Sequence, residues 1–427
     1  MRTTWRVLTA LSTLLASCGG KTEGPSAGSG GAGGNAGTSG TGGAGGAVGG
    51  SAGGSLGGAG GSVSGCVLES SGDLPALMAG PGTLTGPGIV ATDTGFVIGY
   101  RDQDGSSLRA LVLSLSDAGV AGNPSDFQLG GCTSEVPTDG VSLAYRSGLG
   151  MLAASTPNCG KGAGAVFIPF DDKGVVEQAS APKNGAFEQL DTSLRAVAPG
   201  KLTGEWELVY LVTTDGLPAV VERIVLQGAV FKTTVPIAHP FGDGPRPWAS
   251  VATGSEVIAL LSPNPAAGSS ELLLGPLGAS VLSVAAAPAL PAANAGDLVA
   301  WDARVAAGVR TPSGLHVGVY ELATGGINTV ATGELPSPGA LSSVLAVDGD
   351  RLYAAHGSPM FIQLDSLGGA MGTPSFGNIS SAKLGADFDG TRLAIAAARG
   401  KVALVWLGKP KLSSKNVAGG WLIARCE

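Results

Sequence analysis

The sequence predicts an all-β fold for residues 66–427. Apolar runs of about five to eight residues recur along this stretch, and turns rich in Gly, Asp, Pro and Ser separate them. Short runs bounded in this way are typical of strands, whereas helices place apolar residues three and four positions apart over longer windows. Few stripes of that helical kind occur, so we expect strands to dominate this part of the chain.

The N-terminal segment has the parts of an export signal. Arg2 and Arg6 give it a positive end, and the stretch VLTALSTLLA at 7–16 is apolar. Gly20-Lys21-Thr22 matches the end of a phosphate-binding loop, but that motif requires a Gly where Leu15 stands. We therefore interpret residues 1–17 as a signal peptide and find no nucleotide-binding motif there.

This signal ends in Leu15-Ala16-Ser17-Cys18, which resembles the lipid-attachment box of bacterial lipoproteins. The resemblance implies cleavage before Cys18, a thioether-linked diacylglycerol on its sulfur and acylation of the new amino group. Several acyl chains anchor a protein durably, because one chain alone binds a membrane only marginally. Gly19, which is not Asp, implies sorting to the outer membrane of the cell envelope. An ordinary signal peptide with an incidental Cys18 is the alternative.

Residues 18–65 form a predicted tether. Of the 47 residues at 19–65, 23 are Gly, and most others are Ser, Ala and Thr. Such a segment buries too little apolar surface to offset its ordering entropy, so we expect a coil with a reach of about 40 Å. Matches to G-x-S-x-G and G-x-G-x-x-G inside it are chance products of the repeat, because they lack a flanking strand and helix.

A strand, a turn containing Gly or Asp, and a second strand recur along 66–427, about 40 to 55 residues apart. The seven copies span 89–102, 143–155, 197–212, 250–262, 298–310, 345–357 and 386–400. Their second strands are predicted to begin near Phe96, Met151, Trp206, Val257, Arg304, Arg351 and Thr391. A third strand follows most copies, at 112–119, 166–174, 319–326 and 361–369, and a fourth, outer strand follows less clearly.

Seven copies of a four-stranded unit at this spacing resemble a β-propeller over residues 66–427. Strands apolar on both faces suit packing of sheet on sheet, and short protected edges limit edge-to-edge association. The Gly-His and Trp-Asp signature of WD40 repeats is missing, and Trp301-Asp302 stands alone at the wrong place. Six or eight blades, or two packed β-sandwiches, remain as alternatives.

Four cysteines follow Cys18, an even number that in an exported chain indicates two disulfides. Cys66 opens the predicted domain and Cys426 is its penultimate residue, so a bridge between them would join the first and last strands of a ring. Cys132 and Cys159 would then pair. The two other pairings stay open, and the absence of a CxxC pair speaks against a zinc or thioredoxin-like site.

Two groups of polar residues are candidate sites. The three histidines, His239, His316 and His356, share no metal-like spacing, and we interpret them as satisfied or solvated. Arg101-Asp102-Gln103-Asp104-Gly105 begins like a calcium loop, but the twelfth position, which requires Glu, is Leu113. We therefore interpret this cluster as a solvated hairpin turn. No catalytic or metal-binding residue is assigned.

Two recurring residue types receive structural interpretations. Five tryptophans could stack on sugar rings, but we expect them to pack between sheets: Trp206, Trp248, Trp301, Trp406 and Trp421. Asp93, Asp348 and Asp389 recur near Gly at the first turn of a repeat, where an aspartate caps a turn through its own side chain. We prefer that structural role to convergent carboxylate chemistry.

Composition excludes one class of partner. The formal net charge is −7, and no long basic stretch provides an electrostatic footprint for nucleic acid. We hypothesise a monomeric, surface-tethered and non-catalytic binding or scaffold lipoprotein that presents the ring to a protein or glycan partner, without cofactor or metal. An extracytoplasmic hydrolase or lyase acting on polysaccharide or a lactone is the alternative from another class. A structural envelope protein is the third reading.

Overall fold

The computed structural model describes the chain in segments that lie between Cys66 and Cys426. The described residues are 66–75, 86–104, 107–130, 141–156, 164–176, 192–199, 204–212, 220–227, 230–237, 250–253, 256–264, 267–276, 282–284, 290–293, 295–301, 303–323, 326–336, 342–357, 361–368, 375–383, 388–410 and 418–426. The chain separates into two units, Met1–Gly54 and Ser55–Glu427, and every described residue belongs to the second.

Within these segments all regular structure is β. The strands are β1 (Cys66–Asp73), β2 (Gly88–Ala91), β3 (Gly95–Asp104), β4 (Ser107–Ser116), β5 (Ser125–Gly130), β6 (Val141–Arg146), β7 (Leu149–Thr156), β8 (Gly164–Asp171), β9 (Thr192–Pro199), β10 (Glu205–Val212), β11 (Val220–Gln227), β12 (Val230–Ile237), β13 (Ser250–Thr253), β14 (Val257–Asn264), β15 (Ser269–Pro276), β16 (Ser283–Val284), β17 (Leu290–Pro291), β18 (Ala295–Trp301), β19 (Arg304–Arg310), β20 (Gly314–Ala323), β21 (Gly326–Pro336), β22 (Ser342–Asp348), β23 (Arg351–Gly357), β24 (Phe361–Gly368), β25 (Ser375–Lys383), β26 (Phe388–Ala398), β27 (Lys401–Pro410) and β28 (Ala418–Cys426). No helix able to span a bilayer is found in this described part of the chain.

The described strands form seven antiparallel sheets that follow one another along the chain. Sheet 1 is β2-β3-β4-β5, sheet 2 is β6-β7-β8, sheet 3 is β9 to β12, sheet 4 is β13-β14-β15 with β16 and β17 both on β15, sheet 5 is β18 to β21, and sheet 6 is β22 to β25. Sheet 7 is β26-β27-β28-β1. The first strand of each sheet contacts the first strand of the next, and β26 contacts β2. This propeller-type arrangement confirms the all-β prediction.

The meander gives each sheet two different ends. Connections between first and second strands, and between third and fourth strands, lie at one end, which we call the turn face; residues 147–148, 349–350 and 399–400 belong to it. The remaining connections, such as residues 311–313, lie at the opposite end, which we call the loop face. Any residue can therefore be assigned to an end of the sheets from its place along its strand.

The N-terminal strand β1 completes sheet 7. It pairs with β28 in a register that sets Cys66 opposite Cys426, and these two residues form a disulfide. This confirms the predicted bridge. The Glu69 carboxylate lies 2.6 Å from Lys401 Nζ and 3.3 Å from Arg425 Nε, so an ion-pair cluster accompanies the disulfide at the same end of the seam. Both ends of the folded chain thus meet at the turn face.

Apolar side chains fill the spaces between neighbouring sheets. Between sheets 5 and 6 the buried set comprises Ala306, Leu315, Val317, Val319, Leu335, Leu345, Leu352 and Ala354. Glycines admit leucines from the next sheet: an added Cβ on Gly99 would lie 2.6 Å from Leu152 Cδ1, and one on Gly308 would lie 3.2 Å from Leu345 Cδ1. Close sheet approach therefore depends on these two glycines.

The predicted repeat is correct for six copies and wrong for the seventh. The six second strands predicted near Phe96 to Arg351 all lie in observed second strands. Thr391, however, lies within β26, the first strand of sheet 7, whose pairing with β27 runs from Phe388 to Ala398. Asp389 is an irregular position in that strand and not a turn residue. The turn is Arg399–Gly400, where both residues have positive φ.

Candidate functional site

The turn face is held by hydrogen bonds from one sheet to the next. Arg399 donates to the carbonyls of Thr92 at 2.5 Å and Gly95 at 3.2 Å, and its guanidinium lies 2.8 Å from the Asp117 carboxylate. These contacts join sheet 7 to sheet 1. They also offset the strain of a non-glycine residue at φ 55°. We assign Arg399 to ring closure.

The recurring aspartates share this structural role, although by a different contact from the one expected. Tyr145 Oη donates to Asp93 Oδ2 at 2.7 Å, and Gly400 N donates to Asp348 Oδ2 at 2.7 Å. Both bonds cross to the following sheet. The structural interpretation of Asp93 and Asp348 is therefore supported, and Asp389 is excluded from this set because it lies inside β26.

The described tryptophans pack as expected. Trp206 and Trp421 are buried, and Trp406 packs partly against the core between sheets 6 and 7. Trp301 Nε1 donates to the Gly349 carbonyl at 2.7 Å on the turn face, which links sheet 5 to sheet 6. Trp248 lies outside the described residues.

The predicted polar turn at Arg101–Gly105 is partly wrong. The hairpin itself is present, because Asp104 pairs with Ser107. Arg101 and Asp102, however, are 4% and 6% exposed and lie inside β3. Arg109, directly opposite Asp102, bridges its carboxylate at 2.6 Å and that of Asp126 at 2.6 Å. Asp102 and Arg109 therefore form a buried ion pair, and Arg101 and Asp102 do not belong to a solvated turn.

A second polar group lies where sheets 5 and 6 approach the loop face. Arg310 is the last residue of β19, and it follows Ala306 and Gly308 on the side of the strand that contacts sheet 6. His356, the penultimate residue of β23 and 6% exposed, follows Leu352 and Ala354 on the side that contacts sheet 5. By the two-residue period of strands, both side chains point into the same interface.

Asp297 belongs to the same end of this interface. It is the third residue of β18, and its Oδ2 accepts a hydrogen bond from Leu345 N at 2.7 Å, in the first strand of sheet 6. The apolar packing between the two sheets therefore gives way to charged and polar side chains toward the loop face. We call Asp297, Arg310 and His356 the loop-face cluster.

Arg392, in sheet 7, is a second arginine toward the loop face. It lies in the first half of β26, and its neighbours Leu393 and Ile395 pack against sheet 6. The alternation of the strand turns Arg392 away from that packing, and it is exposed. Arg392 therefore lies on the side of β26 that packs toward sheet 1. The pKa of Arg310 is lowered below its usual value, mainly by burial of its side chain and to a smaller extent by the positive charge of Arg392.

The remaining predicted residues are placed as follows. The side chain of His316 lies on the other face of β20 from the buried side chains of Leu315, Val317 and Val319. Its Nδ1 is 3.7 Å from Glu334 Oε1. Cys18, Cys132, Cys159 and His239 lie outside the described residues. Within those that are described, no group of three His, Cys, Asp or Glu side chains could hold a metal ion.

The sequence reasoning missed the loop-face cluster. A local signal for part of it exists, because Gly99-Tyr100-Arg101 and Gly308-Val309-Arg310 share the pattern Gly-x-Arg. Each Gly admits a leucine of the following sheet, and each Arg lies two residues nearer the loop face. Aligning second strands across the repeat would have revealed both arginines.

Comparisons with known proteins assign no family. No family model and no curated protein matches the chain. Among solved structures, a protein of unknown function from Dyadobacter fermentans aligns with a TM-score of 0.46 at 11% identity, over 86% of this chain and 100% of that one. A Trypanosoma rangeli sialidase aligns with 0.45 at 9%, over 84% and 60%, and the phage phi92 endosialidase with 0.46 at 8%, over 84% and 69%. Similarities this low transfer no activity to the chain.

Proposed function

We propose that this chain is an exported lipoprotein, anchored through Cys18, whose seven-bladed propeller acts as a non-catalytic binding module for a protein or glycan partner on the cell envelope. The observation that supports this proposal is the position of Cys66, whose disulfide and strand pairing put the start of β1 at the turn face. The segment that precedes Cys66 therefore joins the ring at that face. The loop face lies at the other end of every sheet, away from Cys66.

The two faces also differ in how their described polar groups are used. On the turn face, Arg399, Asp93 and Asp348 are engaged in hydrogen bonds between successive sheets. Toward the loop face, Arg392 is exposed. Exposed charge on a rigid scaffold is suited to partner recognition, since loops on such scaffolds carry binding function. We therefore assign partner binding to the loop face.

Saturable capture tests this function. The mature chain is immobilised in its oxidised form and exposed to envelope extract and to a panel of insoluble polysaccharides. One saturable partner, released when the protein is reduced and unfolded, supports a binding module. A folded protein that retains nothing, but turns over a polysaccharide or a lactone, contradicts the proposal and favours the enzyme.

The anchor is tested separately. In cells, Cys18→Ala should abolish incorporation of labelled fatty acid and move the protein from the membrane fraction to the soluble exported fraction. Ser17→Ala is the matched control, because it keeps the sulfur and a small residue before it. Equal labelling of the Cys18→Ala variant would contradict lipid attachment at this residue.

A further inference from the structure

Exposed apolar side chains are concentrated on the turn face. Among the residues that the structure describes, five large apolar side chains are exposed, and each lies in a turn of that face or within the first three residues of a strand that begins there. They are Val67 (61% exposed), Leu68 (38%), Val120 (65%), Leu149 (47%) and Val175 (56%), and we call them the apolar rim. Single exposed apolar residues are common on proteins, but a set confined to one end of the sheets indicates a contact surface.

Two members of the apolar rim are presented by the same kind of turn. Residues 116–121 (SDAGVA) and 171–176 (DDKGVV) each begin at the last residue of a third strand, and each contain a Gly at φ 71°. The side chain of the first residue accepts a hydrogen bond from the valine amide, at 3.1 Å for Val120 and 2.8 Å for Val175. Gly and polar residues are typical of such turns. An exposed valine at the same position of both turns is therefore a feature that the turn itself does not require.

The apolar rim extends across three successive sheets. Ser70 of β1, in sheet 7, packs so closely on Gly119 of sheet 1 that a Cβ at Gly119 would collide with it. Ser114 of sheet 1 is packed in the same way against sheet 2, because a Cβ at Gly174 would lie 3.1 Å from Ser114 Cβ. Leu149 lies opposite the first residue of the second turn in the strand ladder of sheet 2. The rim therefore runs along the turn face of sheets 7, 1 and 2.

Carboxylates beside the apolar rim are paired with cations. Glu69 lies 2.6 Å from Lys401 Nζ and 3.3 Å from Arg425 Nε, and the Asp117 carboxylate lies 2.8 Å from the Arg399 guanidinium. The Arg425 side chain is exposed, so its charged end can also reach phosphate oxygens outside the protein. Apolar side chains beside compensated carboxylates and an accessible cation are suited to the headgroup boundary of a bilayer.

The chain itself brings a membrane to this place. Residue 65 is joined to Cys66, next to Val67 of the rim, and residues 19–65 connect it to the proposed lipid on Cys18. The expected reach of about 40 Å for this segment keeps the bilayer surface at a high effective concentration near the rim, so a modest apolar contact is enough for docking. We propose that the apolar rim docks on the surface of the lipid bilayer that holds the anchor. This inference rests on the proposed lipid anchor and adds to it the face that the ring turns to the membrane.

Vesicle flotation tests the rim without the acyl chains. The mature chain carrying Cys18→Ala is mixed with phosphatidylcholine vesicles, with and without phosphatidylglycerol, at low and high salt. The protein should float with both kinds of vesicle in proportion to lipid concentration, because apolar area drives the contact. Raising the salt should change the bound fraction by about twofold or less. No flotation with either vesicle, or flotation only with phosphatidylglycerol that high salt abolishes, would overturn the inference.

Paired variants locate the contact. Val120→Asp with Val175→Asp should lower the vesicle-bound fraction by about tenfold or more, because two carboxylates replace exposed apolar side chains. Val120→Ser with Val175→Ser removes apolar area without adding charge and should lower it less. Ala267→Asp with Ser313→Asp is the matched control, since it adds the same charge at exposed positions of the loop face, and should leave flotation unchanged. Equal losses in the two Asp pairs, each with the wild-type melting temperature, would overturn the inference.

Other occupants of the apolar rim give different outcomes. A dimer in sedimentation velocity that Val120→Asp with Val175→Asp dissociates, without vesicle binding, would assign the rim to a second copy of the chain and overturn the inference. An envelope protein that the same variant no longer captures, again without vesicle binding, would overturn it too. Saturable partner capture without flotation rejects this inference alone. Flotation of the Cys18→Ala chain, combined with no fatty-acid labelling of the wild-type chain, rejects the proposed anchor alone.

Discussion

Replacing Cys66 and Cys426 together by Ser removes the covalent link that closes the ring. The disulfide spans a sequence separation of 360 residues, for which loop entropy gives about 5–6 kcal/mol of stabilisation. The noncovalent seam remains, because β1 still pairs with β28 and Glu69 still bonds Lys401. We therefore expect a folded variant whose free energy of unfolding falls by that amount.

Equilibrium unfolding in guanidinium chloride measures this loss against the oxidised wild-type protein. Glu69→Gln is the matched control, because it removes the ion pair at the same seam and keeps the disulfide. Its cost should be about 1 kcal/mol or less, since Glu69 is partly exposed. If the cysteine variant lost no more stability than Glu69→Gln, the disulfide would not be the closing element and the reasoning from loop length would be refuted.

Three further predictions concern the sheets themselves. Arg109→Ala should lower the free energy of unfolding by about 3–5 kcal/mol in chemical denaturation, because it removes the ion pair of the buried Asp102. Asp126→Ala, at the more exposed end of the same arginine, should lower it by about 1 kcal/mol or less. Equal losses in the two variants would contradict the buried-pair assignment. Gly99→Ala should cost about 1–3 kcal/mol by overpacking, and an unchanged melting temperature would contradict the close approach of sheets 1 and 2. Burial raises the pKa of Tyr320 from 10.0 to about 12, so folding stability should fall as pH rises between these values, because the unfolded chain loses this proton first. If a pH titration followed by tyrosinate absorbance gave a midpoint near 10 for every tyrosine of the folded protein, the burial of Tyr320 would be contradicted.

The fold was predictable where a repeat leaves local marks. Strand alternation and turn residues located six second strands, and the pairing of Cys66 with Cys426 followed from their places at the two ends of the domain. The seventh copy failed because Asp389-Gly390 has turn chemistry, but pairing along β26 keeps it in a strand. Arg399–Gly400 serves as the turn instead, and sequence patterns give little weight to an arginine at positive φ.

The candidate site was less predictable, because its members come from different sheets. Asp297, Arg310 and His356 are separated by up to about sixty residues, and no local spacing joins them. Their common position follows from strand direction and from which face of each strand packs on the next sheet. The burial of Arg101 and Asp102 was also missed, although their hairpin was visible in the sequence.

Photo-crosslinking from each face tests the central claim that the partner binds at the loop face. A benzophenone amino acid replaces Ser313, exposed in a loop-face turn, or Asp350, exposed in a turn-face turn, in the lipidated protein. Irradiation of intact envelopes should give one saturable crosslinked species from position 313 and none from position 350. The same species from position 350, with none from position 313, would contradict the assignment of partner binding to the loop face.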